Sequence, residues 1–185
     1  FSAEGSTTCS DCANGEADLD SDPASPCDAC GSGSYSIPGQ TACTACETGQ
    51  VDHDSSPATE CTPCPVGHFS LASATSCTQC AVGQFGIVEG TTTCTNCAEG
   101  KYLDTEGNDA ETDCIDCVAG RYIDVTGSDE ASDCIACDAG RYGAAGSTSA
   151  DGCIDCASGK YVDVSGSGEA TDCIACDAGR YGSRG

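Results

Sequence analysis

Apolar residues along this chain follow neither a helical nor an extended-strand period for long. No 11-residue window places them at 3.6-residue spacing, and glycine (24) and proline (6) interrupt every segment. The period that does hold is a repeat. Cys-x-x-Cys begins at Cys9, Cys27, Cys43, Cys61, Cys77, Cys94, Cys114, Cys134, Cys153 and Cys173, which uses all 20 cysteines. Three residues after each pair stands a glycine. Two further on comes an aromatic (Tyr35, Phe69, Phe85, Tyr102, Tyr122, Tyr142, Tyr161, Tyr181), replaced by Ala17 and Val51 in two repeats. Around it, short alternations such as Tyr122-Ile123-Asp124-Val125 predict strands of three or four residues. Gly39, Gly90, Gly107, Gly127, Gly146 and Gly166 are placed to turn the chain back toward the next cysteine. The expected fold is a set of small disulfide-rich repeats, mostly loop with short β-strands and no helices of note. Stacked in tandem, with each repeat touching mainly its neighbours, they would form an elongated, solenoid-like rod.

Repeat phase divides the chain. Residues 9–93 hold five cysteine-rich repeats of about 16–18 residues, and 94–176 five of about 19–20. The stretch 114–152 recurs with near identity at 153–185, a duplicated two-pair unit. Residues 1–8 read as the tail of a truncated repeat with Phe1 in the aromatic position, and 177–185 as the start of another. The expectation is a segment of a longer array.

Composition explains the cysteines. Leu, Ile, Val and Phe total 21 of 185 residues, too few to offset backbone entropy of roughly 1–2 kcal/mol per residue. A covalent staple is required. Redox chemistry at ten Cys-x-x-Cys motifs lacks the helix-bearing unit that activates a thiolate. Four-thiolate zinc sites would fit the count, but not the glycine and aromatic inside every loop. Structural disulfides fit both, and they place the chain outside the cell or on its surface. The net charge of −24 excludes nucleic acid, and no apolar run suits membrane contact by this segment.

Other chemistry is sparse. Glu16, Asp18, Asp20 and Asp22 imitate the start of a calcium loop but lack its glycine and closing glutamate, which leaves Asp18, Asp20 and Asp22 a weak calcium candidate. His53 and His68 have no ligating partners in sequence. No catalytic constellation and no cofactor motif appears, so an enzyme is not expected. Ser70–Ser76, Thr91–Thr93, Ser147–Ser149, Ser25 and Ser56 could carry O-glycans. Lys101, Arg121, Arg141, Lys160 and Arg180 share one repeat position, between glycine and aromatic, where they should stack on the ring and pair with acids such as Asp113, Asp133 and Asp172.

The pattern Cys64-Pro65-Val66-Gly67-His68-Phe69 leading to Cys77-Thr78-Gln79-Cys80 resembles the ephrin-receptor-type cysteine-rich repeat. It is also similar to the single-loop module of tumour-necrosis-factor-receptor cysteine-rich domains. The resemblance implies that the second cysteine of one pair bonds the first of the next: Cys12–Cys27, Cys30–Cys43, Cys46–Cys61, Cys64–Cys77, Cys80–Cys94, Cys97–Cys114, Cys117–Cys134, Cys137–Cys153 and Cys156–Cys173. Cys9 and Cys176 are left over and expected to bond outside the segment. Within such loops the aromatic would lie across the bridge as each repeat's core. The expected function is structural: a disulfide-stapled shaft, filament or spacer of a large surface protein, whose partners are other copies of itself or neighbouring repeats in a fibre. The alternative is a receptor-like ectodomain that binds a protein ligand.

Overall fold

The computed structural model describes residues 8–181; the expected positions of Phe1 and of residues 182–185 lie outside the described residues. The chain divides into two compact units. One runs to Cys80 and includes Gly86–Cys94; the other comprises Ala81–Phe85 and the residues from Thr95 onward. Both are built from the same piece, a two-stranded antiparallel hairpin. In the first unit these are Glu16–Ala17 with Asp28–Ala29, Ser34–Tyr35 with Thr44–Ala45, Gln50–Val51 with Thr62–Pro63, and His68–Phe69 with Thr78–Gln79. In the second they are Gln84–Phe85 with Thr95–Asn96, Lys101–Tyr102 with Ile115–Asp116, Arg121–Tyr122 with Ile135–Ala136, Arg141–Gly143 with Cys153–Asp155, and Lys160–Tyr161 with Ile174–Ala175. Four three-residue 3-10 turns, Glu111–Asp113, Ala131–Asp133, Ala150–Gly152 and Ala170–Asp172, complete the regular structure among the described residues. The fold is a disulfide-rich array of small repeats, mostly loop.

Each hairpin begins at a β-turn. The residue after the glycine donates its N–H back three residues, as Arg121 does to the Val118 carbonyl at 3.2 Å. Gly120, third in that turn, has φ +85°, the left-handed value such a turn demands. The glycine then ties its repeat to the next in both directions. In the second unit the amides of Gly83, Gly100, Gly120 and Gly140 donate to the carbonyls of Leu103, Ile123, Gly143 and Val162 at 2.7–2.9 Å. The carbonyls of the same four glycines accept from the amides of Cys97, Cys117, Cys137 and Cys156. The first unit repeats the scheme through Gly15, Gly49 and Gly67. There Gly33 differs, donating to the Asp52 carboxylate at 3.0 Å instead of to a carbonyl.

A further contact reaches past the neighbour. A Cβ placed on Gly120 would sit 2.1 Å from the Gly166 carbonyl oxygen, in the loop two repeats on. Gly33 meets Ser73, Gly49 meets Gly90, Gly83 meets Gly127 and Gly100 meets Gly146 in the same way. Expectation had each repeat touching mainly its neighbours. The left-handed turn instead brings the glycine's bare α-carbon against a second-neighbour loop, because nothing thicker than a backbone lies between them.

The interior also differs from expectation. Of the described aromatics only Phe85 is buried; Tyr35, Phe69, Tyr102, Tyr122 and Tyr142 are half-buried, Tyr161 is exposed and Tyr181 is 89% exposed. The ring position contributes to the core unevenly: Phe85 packs with Cys97, Leu103 and Cys114, and Ala17 and Val51 are buried there in two repeats. Successive strand residues face opposite ways, so the residue after the aromatic points into the junction while most rings stay partly on the outer face. That position is buried: Ser36, Asp52, Ser70, Leu103, Ile123 and Val162. Ile123, 1% exposed, packs with Cys117, Cys134 and the half-buried Tyr102. In the first unit the same position uses hydrogen bonds, with the Ser36 and Ser70 hydroxyls donating to the carbonyls of Glu16 and Gln50, one repeat back.

Gly120→Ala would meet both obstacles, the left-handed backbone and the Gly166 carbonyl. It should destabilise its junction by about 3 kcal/mol. Gly159 has φ +80° but no neighbour within 4 Å of the added carbon, so Gly159→Ala should cost only about 1–2 kcal/mol. Hydrogen exchange at the Cys137 and Cys176 amides reads the two cases; equal effects would contradict the close-approach argument.

Candidate functional site

The recurring site is the bridge at the junction. Nine disulfides join Cys12–Cys27, Cys30–Cys43, Cys46–Cys61, Cys64–Cys77, Cys80–Cys94, Cys97–Cys114, Cys117–Cys134, Cys137–Cys153 and Cys156–Cys173, with Cα separations of 5.6–5.8 Å. Each closes a span of 13–17 residues, worth about 3 kcal/mol through the entropy removed from the unfolded chain. Cys9, exposed, and Cys176, half-buried, have no disulfide partner among the described residues.

The bridges are not equally sheltered. In every bridge from Cys12–Cys27 to Cys137–Cys153 the cysteine that precedes the hairpin turn is buried. Its partner is half-exposed at Cys27, Cys43, Cys61, Cys77 and Cys94, yet buried at Cys114, Cys134 and Cys153. The difference follows loop length. Spans of 16–17 residues in the second unit admit a 3-10 turn immediately before the cysteine, and the cysteine after it is buried.

Asp113, Asp133 and Asp172 build these turns. Asp113 accepts the Ala110 amide at 3.1 Å, Asp133 those of Asp129 and Glu130, and Asp172 those of Gly168 and Glu169. They do not pair with the cations, as the sequence had suggested, because their carboxylates are turned onto the backbone entering their own turn. The cations look across the hairpin instead: Lys101 pairs with Asp116 at 2.8 Å and Arg141 with Asp155 at 3.1 Å. Arg121 and Lys160 stand opposite Ala136 and Ala175. Arg121 donates to the Cys134 carbonyl at 2.7 Å, and neither has an ion-pair partner among the described residues.

The acidic loops of the first unit are likewise self-satisfied. Asp20 accepts the Asp22 amide and the Ser25 hydroxyl, each at 2.9 Å, and these two bonds hold its carboxyl below the usual range. Asp54 is lowered by the Thr59 hydroxyl at 2.9 Å and then by the Ser56 amide at 3.0 Å. Asp22 accepts the Ala24 amide. Asp18, Asp20 and Asp22 do not form a calcium cage: among the described residues no three His, Cys, Asp or Glu side chains converge to hold a metal ion. The short carboxylates cap the loop's own amides, as Asx turns do. His53 lies 3.4 Å from the Thr62 hydroxyl and His68 3.1 Å from the Val66 carbonyl, both local contacts. Ser70, an expected glycan site, is 1% exposed with its hydroxyl engaged, which removes it from the accessible set.

Residues 83–134 match the model of a family described as tyrosine-protein kinase ephrin type A/B receptor-like. Over these residues the chain is similar to the ephrin-receptor-like cysteine-rich repeat. The matched stretch contains the junctions at Gly83 and Gly100 and the bridges Cys97–Cys114 and Cys117–Cys134. No curated protein matches the chain. The ephrin-receptor-like repeat and its disulfide-rich fold point to a non-catalytic module in an extracellular or secreted setting.

Two outcomes are expected. Limited reduction followed by alkylation should label Cys43, Cys61 and Cys77 before Cys114, Cys134 and Cys153, since exchange requires access to a sulfur; peptide mapping that gave the opposite order would contradict the shielding. The second concerns pH. Asp20 and Asp54 have folded values below their unfolded ones, so their contribution is complete above the ordinary aspartate value of about 3.9 and is lost as pH falls through the depressed values. Amide chemical shifts of Asp22 and Ser56 should therefore move as pH falls below about 4, while the junction amide of Cys64 stays fixed.

Proposed function

We propose that this segment is structural: a disulfide-stapled shaft, filament or spacer of a large extracellular protein. The observation that carries the reading is the recurring junction, in which the same glycine, its backbone bonds and the same bridge return from repeat to repeat in both units, with the Gly33 amide turned to the Asp52 carboxylate instead. A segment whose residues serve almost entirely to fix successive repeats to one another is suited to holding length. With a bridge in every repeat, tension passes through the disulfides, so the spans of 13–17 residues are locked behind them and only the two-residue links between successive bridges can extend. Other copies of the chain, or neighbouring repeats, are the partners such a shaft needs, and exposed Ser and Thr hydroxyls leave room for O-glycans.

A receptor-like ectodomain is the second reading, favoured by the receptor in the description of the matched family. Immunoelectron microscopy of native material separates the two. Antibody along filaments, stalks or a surface coat supports the structural reading. Label confined to discrete particles that carry a bound protein ligand would overturn it.

A further inference from the structure

The charges of the two units are unlike and share a period. All six Lys and Arg follow residue 100, so the first unit holds none. Its first four loops alternate: Gly15–Cys27 and Gly49–Cys61 carry aspartates, whereas Gly33–Cys43 and Gly67–Cys77 carry no acid. Asp20, Asp22 and Asp54 are exposed in the two acidic loops. Beside them, at one equivalent position, stand Leu19, 53% exposed, and His53, also exposed.

The four cations from Lys101 to Lys160 alternate in the same way. Lys101 and Arg141 are neutralised across their hairpins, while Arg121 and Lys160, two repeats apart, are not. Each of these two lies beside an uncovered apolar pair, Tyr122 with Ile135 and Tyr161 with Ile174, whose isoleucines are 47% and 55% exposed.

We propose that the Arg121/Lys160 face of one molecule docks the acidic loops of a second copy, the loop around Leu19 on one cation and the loop around His53 on the other. Both features recur every second repeat, so two contacts can form together. Charges outside the contact are screened within about 8 Å at physiological salt, which limits the repulsion expected of two acidic chains. Because unlike faces meet, the contact is heterologous and propagates head to tail. This gives the structural reading its partner, and a shaft made of a single chain would survive the failure of this contact.

The test uses the whole oxidised chain in sedimentation velocity at 0.15 M salt, a condition chosen for the roughly 8 Å screening length it sets. The wild type should show weight-average mass that rises with concentration. Arg121→Glu with Lys160→Glu should weaken association about tenfold or more, and so should Leu19→Lys with His53→Lys, since each replaces two attractive pairs by repulsive ones. The two variants retain one intact face each, so mixing them should restore association that neither shows alone. A monomeric wild type at every concentration overturns the proposal, as does an Arg121→Glu, Lys160→Glu variant that associates as the wild type does. A wild type that stays monomeric but binds a sulfated polysaccharide through Arg121 and Lys160 assigns the face to a polyanion and overturns the second copy.

Discussion

Every junction in this protein depends on one residue that has no side chain. At most junctions the glycine that follows Cys-x-x-Cys uses its amide and its carbonyl on the next repeat, and at Gly49, Gly83, Gly100 and Gly120 its bare α-carbon also admits a loop from the repeat after that. The left-handed turn makes these three contacts possible at once by pointing both polar groups along the array. The bridges reinforce this arrangement without creating it. They shorten the unfolded chain's freedom, while the glycine decides how one repeat meets another.

Interior packing then follows the strand's alternation. With the ring on the outer face, the next residue enters the junction, and the two units fill that place differently. Ser36 and Ser70 carry hydrogen bonds to the preceding repeat, whereas Leu103 and Ile123 pack against cysteines and Val162 is likewise buried. A hydroxyl stabilises by a directed bond worth about 1 kcal/mol, and a buried aliphatic chain by about 1.5–3 kcal/mol of burial. The second unit also buries both cysteines of the bridges Cys97–Cys114, Cys117–Cys134 and Cys137–Cys153, so apolar burial and shielding of the bridges increase together.

Much of this was legible in the sequence. Ten in-phase cysteine pairs, the glycine and the turn glycines gave the hairpins and their sequence limits, and the resemblance to ephrin-receptor-type repeats carried a connectivity that spacing alone leaves open. What was missed belongs to direction. An aromatic recurring in a chain poor in Leu, Ile and Val looks like a core, yet period-2 geometry leaves most rings half-buried and buries the next residue more deeply. The signal was present in the alternation Tyr122-Ile123-Asp124, where the smaller apolar residue takes the inner side. Asp113, Asp133 and Asp172 read as partners for cations because charge was legible and backbone direction was not. The second-neighbour contact of the glycine left no mark beyond the glycine itself.

That contact has a consequence for how the chain is made. Gly120 is enclosed only when the loop at Gly166 has been synthesised and folded back, two repeats later. A newly emerged repeat can close its own bridge before the surface that will cover its glycine exists. Oxidation can thus run ahead of packing, and the growing end always carries two repeats that are crosslinked but unfinished. Errors of disulfide pairing are most easily corrected within that short trailing window, while a sulfur can still be reached by an isomerase.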